Sequence, residues 1–307
     1  MYAPIGWALH LLALMPWWVL YLHADVFYFF VYHLIGYRKK VVRRNLAECF
    51  PEKNDQERKA IEKEFYRHFT DYFVETIKLM HISDEDMRRR MVFHNAHVID
   101  EAFDNNQSIV LYAAHYGNWE WVTSVTLWFD SERHKDDVQG QVYQPLENEW
   151  FDRFFLKLRQ RFNTVCISKK AILREMIIRE REGRHLGIGF IADQHPLPND
   201  EGHVLDFLHH PTAFITGAEA IGRKLHCQAA FFDVRKLKRG HYECTLVPLS
   251  DDIAAEPRGS ITTRYARLLE QRIKEEPAYW LWTHKRWKRP VTFPEGYNKD
   301  NEIEFYS

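Results

Sequence analysis

Two short apolar runs constrain the fold of this chain most: Ser-Ile-Val-Leu-Tyr-Ala-Ala over 108–114 and Leu-Gly-Ile-Gly-Phe-Ile-Ala over 186–192. Each is nearly continuous in apolar side chains and too short for an amphipathic helix, the pattern of a strand buried on both faces. Further strands are expected at Gln141–Tyr143, Cys227–Val234 and Tyr242–Pro248. Helical patterns are expected at 119–128, 147–162, 170–182, 213–225 and 260–275. Upstream, Ile61, Phe65, Phe69, Phe73 and Ile77 recur every four residues, so 55–80 reads as an amphipathic helix with a core-facing stripe, capped by Asn54 or Asp55. Strands alternating with helices predict an α/β fold, a mixed and largely parallel central sheet flanked by helices.

The N-terminal region obeys different rules. Met1 to Ala24 contain no Asp, Glu, Lys or Arg; after Asp25 a second uncharged stretch runs from Val26 to Tyr37, followed by Arg38, Lys39, Lys40, Arg43 and Arg44. A spanning helix needs roughly 17–25 mostly apolar residues, which the first stretch supplies. A secretory signal would carry positive charge ahead of its apolar core, whereas the first basic residue is Arg38. Basic residues after an apolar segment stay on the cytoplasmic side and attract anionic headgroups. Residues 1–37 are thus expected to be an apolar membrane anchor and 38–307 a single α/β domain on the cytoplasmic side. Whether residues 1–24 cross the bilayer or lie in its interface is open at this stage, as is an aromatic hairpin packed on the domain.

Charge excludes one class of function. With 42 basic and 43 acidic residues, the chain lacks the surplus that a general nucleic-acid binder needs. The four cysteines (Cys49, Cys166, Cys227, Cys244) form no CxxC pair and suggest neither a zinc ribbon nor a disulfide scaffold. No metal centre is expected, because His94/His97 and His209/His210 have no convincing partner set.

The 108–114 strand ends at His115-Tyr-Gly-Asn-Trp-Glu120, and open α/β sheets bind ligands beyond the carboxyl ends of their strands. A His followed five residues later by Glu can act as a base with an orienting carboxylate. On a continuous helix the two side chains would diverge by about 140°, so they meet only if His115 lies on the loop before the helix. The spacing itself is common: chance predicts about 2.4 such pairs in this composition (17 × 43/307), and three occur, His81/Asp86, His115/Glu120 and His195/Asp200. His81 precedes a charge run and reads as a solvated loop. His195/Asp200 follows a strand end and leaves open a metal-dependent hydrolase. His115 has the clearest strand-loop-helix setting.

The segment Ala-Ala-His115-Tyr-Gly-Asn-Trp-Glu120 resembles the HxxxxD/E block of glycerolipid acyltransferases, and in its His-x-Gly-Asn-Trp-Glu form the bacterial lipid A late acyltransferases. Other blocks follow in the family's order. Val41–Pro51 resembles its early basic helix, Tyr143-Gln-Pro-Leu-Glu-Asn148 its Tyr-Arg-Pro-x-x-Asn block, and Leu158–Phe162 its Arg-rich helix. Ala192-Asp-Gln194, Phe207–Ala213 and Tyr279–Lys288 resemble its Asp-Gln strand end, its post-strand loop and its Trp-x-His-Lys-Arg-Phe block. Two positions depart: Gln144 stands where many relatives have Arg, and His-Pro-Leu-Pro-Asn follows Gln194.

The resemblance implies transfer of a fatty acyl chain from an acyl carrier protein thioester to a hydroxyl of a lipid A precursor, at the cytoplasmic face of a bacterial inner membrane. It implies His115 as general base with Glu120 orienting it. Asn118, Arg159, Arg161, Asp193 and Gln194 are candidate substrate-binding residues. No covalent intermediate and no cofactor are expected beyond acyl carrier protein as co-substrate; the chain has no G-x-S-x-G elbow. Trp280, Trp282 and Trp287 with Lys285, Arg286 and Lys288 are expected either as an interfacial belt or as core packing with a solvated tail. The competing readings are an O-acyltransferase of another bacterial lipid and a non-catalytic membrane-anchored scaffold.

Overall fold

A computed structural model describes residues 3–130, 132–196 and 203–302. Four helices precede the sheet: α1 (Ala3–Leu14), α2 (Trp17–Tyr28), α3 (Lys39–Cys49) and α4 (Asp55–Lys78), with a π-helical turn over Phe29–Ile35 continuing α2. Pro16 breaks the first two apart, as a residue without an N–H must. The helix expected over 55–80 is α4, but its every-fourth-residue stripe is not the core face: only Phe65 is buried, Ile61, Phe69 and Ile77 are half-buried and Phe73 is exposed, while Tyr66, His68, Asp71, Tyr72 and Glu75 are buried. Asn54 accepts from the Gln56 and Glu57 amides while Glu57 reaches back to the Asn54 amide, a capping box.

The α/β region follows as α5 (Asp84–Arg90), β1 (Met91–His94), α6 (His97–Asp104), β2 (Ile109–Ala113), β3 (Val138–Tyr143), α7 (Glu149–Arg159), β4 (Val165–Ser168), α8 (Ile172–Arg181) and β5 (Leu186–Ile191). The hairpin β6 (His203–Phe207) and β7 (His210–Phe214) comes next. Then come α9 (Gly217–Lys224), β8 (Gln228–Lys238), β9 (His241–Ser250) and α10 (Ser260–Glu275). Seven strands form one sheet in the order β1-β9-β8-β2-β5-β3-β4, parallel at every pairing except β8 with β9. The two continuous apolar runs over 108–114 and 186–192 are its neighbouring central strands β2 and β5, and all five β2 residues are buried.

Local differences have local causes. The expected helix over 119–128 is a 3₁₀ turn at Trp121–Leu127. There Thr123 and Ser124 donate to the carbonyls of Glu120 and Trp121, competing with α-helical pairing. The expected helix over 213–225 begins only at Gly217, because Ala213 and Phe214 pair with β6, where Phe207 meets Phe214 edge to face at 5.2 Å. The four-residue strands β1 and β4 were too short to read from pattern.

The register of the centre positions the site. Ala113 pairs with Ile191, so β2 and β5 end side by side, and His115 and Asp193 each follow two residues later.

Candidate active site

His115 leaves β2 on a loop tied down at every step. Its carbonyl accepts from the Leu281 amide at 3.1 Å, and the Gly117 amide donates to the Tyr279 carbonyl at 3.0 Å. The Tyr116 hydroxyl donates to the Glu276 carbonyl at 2.8 Å. Gly117 has φ +59°, and a Cβ there would lie 2.7 Å from Val234 Cγ1, so both conformation and space demand glycine. Buried His68 donates through Nε2 to the Gly117 carbonyl at 3.1 Å, with Lys236 Nζ 3.4 Å from its other ring nitrogen. Burial first, then the Lys236 charge, hold His68 well below its ordinary pKa and so neutral.

The His115 side chain keeps 18% of its surface exposed. Its Nδ1–H donates to Asp193 Oδ1 at 2.7 Å, and its backbone N–H donates to Asp193 Oδ2 at 3.0 Å. The Trp280 indole also donates to Oδ2, at 2.8 Å. Burial alone would raise the Asp193 carboxyl. The His115 charge and these three hydrogen bonds outweigh it and hold the group below the ordinary carboxylate value. With Nδ1–H committed to Asp193, Nε2 carries the ring's lone pair, and the Gln194 amide nitrogen sits 3.2 Å from it. Arg286, 2% exposed and donating to the Ala213 carbonyl at 2.5 Å, adds a nearby positive charge. Burial pulls its pKa down to about 10 against the pull of Asp193.

The structure therefore corrects the expected pairing of His115 with Glu120. The Glu120 carboxylate is gripped by Arg159, whose Nε and Nη2 donate at 2.9 and 2.7 Å, and the Tyr72 hydroxyl lies 3.5 Å away. Glu120 is 3% exposed and immediately precedes the 3₁₀ turn, which carries it away from the ring and toward α7. Desolvation opposes charge on Arg159, but its bonds to Glu120 prevail and raise its pKa. Asn118 is fully buried and faces away from His115. It donates to Glu75 Oε2 at 2.7 Å and accepts from the Trp121 amide at 3.3 Å. Arg161 lies elsewhere, donating to the Ile82 carbonyl at 2.9 Å and facing Asp84 at 3.4 Å. Of the seven candidates, Asp193 and Gln194 meet His115, Glu120 and Arg159 form a second cluster, and Asn118 braces the loop from behind.

Three further placements differ from expectation or fall short of it. Trp280, Trp282 and Arg286 are buried, which removes them from an interfacial belt; the two indoles meet edge to face at 4.8 Å in the core. The His195 ring nitrogens approach the carbonyls of Pro196 and Arg289 at 2.8 and 3.3 Å, while Asp200 lies outside the described residues. Glu75, which the sequence pattern does not single out, is a fully buried carboxylate that accepts from Asn118, from Tyr242 at 2.8 Å and from Tyr21 at 3.1 Å. Its position in the helical pattern of α4 gave no signal, because only the fold brings three donors to it.

Beside His115, Trp119 meets the imidazole edge to face at 5.2 Å and forms one wall of an apolar cavity. The cavity runs over the sheet face beneath the 3₁₀ turn, lined by Leu111, Ala113, Val122, Val125, Gly189, Ile191 and Phe232 with Gln139 and Gln141 farther along. Ala113 and Gly189 leave space that larger side chains would fill. A polar, oriented imidazole against the Trp119 wall of an apolar slot suits a reaction on the polar end of a chain whose remainder is hydrocarbon.

Residues 4–289 match the family described as bacterial lipid A biosynthesis acyltransferase. The chain is 23% identical over 254 residues to the lipid A biosynthesis acyltransferase of Haemophilus influenzae, covering 82% of this chain and 78% of that protein. It is 24% identical over 263 residues to the lipid A biosynthesis lauroyltransferase of Escherichia coli K12, covering 85% and 82%. The chain belongs to the bacterial lipid A biosynthesis acyltransferase family, and it is an acyltransferase.

Proposed function

We propose that this protein transfers a fatty acyl chain from an acyl carrier protein thioester to a hydroxyl of a lipid A precursor, at the cytoplasmic face of a bacterial inner membrane. The observation that carries the reading is the His115–Asp193 pair in contact with Trp119, a wall of an apolar cavity, in a chain of this family.

Asp193 fixes the tautomer that leaves His115 Nε2 basic and stabilises the imidazolium that forms. The acceptor hydroxyl gives its proton to Nε2 as its oxygen attacks the thioester carbonyl. The tetrahedral adduct collapses by breaking the C–S bond, and the departing thiolate takes the proton back from His115. The acyl chain lies in the cavity past Trp119. Gln194, already at hydrogen-bond distance from Nε2, is placed to hold the acceptor hydroxyl or the developing oxyanion. Glu120 and Arg159 hold the loop and the start of the cavity in shape.

The test is the mass of lipid A from a host lacking its own secondary acyltransferase, compared without the chain, with it, and with His115→Ala at equal protein level. A gain of one acyl mass with the native chain alone supports the reading. No gain from a folded, membrane-associated protein overturns it, and a gain in another lipid class moves the acceptor.

A further inference from the structure

Trp17–Ile35 form one predominantly apolar helical run of 19 residues, about 28 Å long at 1.5 Å per residue and close to the roughly 30 Å of a hydrocarbon core. Length therefore permits a crossing. A lone spanning helix also needs lipid on every side and an uncharged middle, and α2 meets neither condition. Asp25 stands next to the centre of the run. Its carboxylate pairs at 2.6 Å with Arg239, which in turn holds buried Asp71 of α4 at 2.6 Å.

That pair is one of three polar fastenings at four-residue spacing on one face of α2. The Trp17 indole donates to Asp86 at 2.7 Å, the Tyr21 hydroxyl donates to buried Glu75 at 3.1 Å, and Asp25 accepts from Arg239. Between them Leu20 and Ala24 are fully buried against Val74 of α4. The β8–β9 turn comes so close that a Cβ at Gly240, which has φ +68°, would collide with the Tyr21 hydroxyl. At the break between α1 and α2, Lys78 Nζ donates to the carbonyls of Ala13 and Met15 at 2.9 and 2.8 Å. A crossing would carry α4, Asp71 and the Arg239–Gly240 turn to the depth of the bilayer centre. The opposite face is different: Trp7, Leu11, Trp18, Leu22 and Phe29 are all more than half exposed. Exposed Arg38, Lys40, Arg43 and Arg44 follow directly.

We infer that α1, α2 and the π turn lie in the plane of the membrane surface, fastened face on the protein and exposed apolar face in the lipid, so that the chain attaches from one side without crossing. The partner is an anionic lipid surface: the apolar stripe supplies area and the basic cluster meets the headgroups. The inference rests on the membrane location proposed above. The same surface leads to the site through ring contacts, Phe27–Phe73 at 5.8 Å, Phe73–Tyr72 at 5.6 Å, Tyr72–Trp119 at 4.1 Å and Trp119–His115 at 5.2 Å.

The full chain carrying one protease site ahead of Met1 and another after Ser307 is expressed in bacteria, and membrane vesicles of either sidedness are treated with the protease. Attachment from one side predicts that both sites are cut in inside-out vesicles and neither in right-side-out vesicles. An N-terminal site cut only in right-side-out vesicles overturns the inference, and lipid A acylation in the same cells shows whether the proposed activity stands regardless. Trp18→Asp with Leu22→Asp, on the exposed face, should release the folded protein from phosphatidylethanolamine–phosphatidylglycerol vesicles in flotation. Retention of that variant with unchanged binding would also overturn it.

Discussion

His115 and Asp193 are joined twice, through the ring at 2.7 Å and through the His115 backbone amide at 3.0 Å. One carboxylate thus fixes both the tautomer of the imidazole and the point at which the chain leaves β2. Asp193→Asn should keep the fold, since an amide can retain one of these bonds, but it loses the charge that stabilises imidazolium. We expect kcat to fall about 10²–10⁴-fold with little change in KM for either substrate, the scale of general-base and orienting-carboxylate losses. Initial rates at saturating acceptor measure it, and near-native kcat in Asp193→Asn would remove Asp193 from the orienting role.

Glu120→Gln should act differently. It breaks a bidentate pair with Arg159 in which both partners are largely buried, leaving a guanidinium without its counter-charge. Losing one partner of a buried pair costs about 3–5 kcal/mol, so the expected result is a marked drop in thermal stability. Adding Arg159→Met should recover much of that loss. If Glu120→Gln melts like the native chain yet loses kcat as far as His115→Ala, Glu120 takes part in proton transfer instead.

His203 predicts a pH dependence away from the site. It is buried, and burial lowers its pKa to about 4, while in the unfolded chain it titrates near about 6.5. Between these values the unfolded state binds the extra proton, so stability falls as pH is lowered through that window, by at most about 1.4 kcal/mol per pH unit from this one group. Unfolding free energies from pH 7 to pH 4 should show a shallower fall in His203→Gln, whose side chain can still reach Thr263. Parallel curves would place the pH dependence on other groups.

Gly189 forms part of the cavity floor. A Cβ built there lies 3.5 Å from the Gly140 carbonyl and 3.7 Å from Gln141 Cβ, ordinary contact distances, so Gly189→Ala fits without moving the sheet. It should shift donor preference toward shorter acyl chains. A methylene-sized change in an apolar pocket alters selectivity by about 1–3 kcal/mol, roughly 10–200-fold. Competition between acyl donors of two lengths reads this directly; an unchanged ratio would put the chain elsewhere.

The central architecture was legible because β2 and β5 are apolar on both faces, a pattern that local sequence displays. The loop carrying His115 was legible for the same reason, since it follows the end of a buried strand. The partner of His115 was not. Spacing offered Glu120, five residues away, whereas the fold supplied Asp193, 78 residues away, through the pairing of Ala113 with Ile191. Glu75 was invisible for a related reason: its donors come from α2, the His115 loop and β9. The Trp-rich C-terminal block allowed a surface belt or core packing, and burial of Trp280 and Trp282 decides for core.

The ring contacts from Phe27 to His115 give the route a direction that kinetics can detect. Phe73 is 39% exposed, beside the surface proposed to face lipid, and touches Tyr72, which stacks on Trp119. In the proposed membrane orientation, a lipid acceptor would pass Phe73 before it reaches Nε2, whereas a thioester donor delivered by a soluble carrier would not. Phe73→Ala removes an aromatic contact of about 0.5–1.5 kcal/mol, so KM for the lipid acceptor should rise about two- to tenfold. The kcat and the KM for the donor should stay near native, because neither His115 nor the cavity is touched. Assays with acceptor in anionic vesicles and again in detergent separate the two cases, and the effect should shrink in detergent, where the acceptor no longer approaches along a membrane plane. An equal rise in both KM values, or a loss of kcat, would show that Phe73 supports the Tyr72–Trp119 wall instead of the path to it.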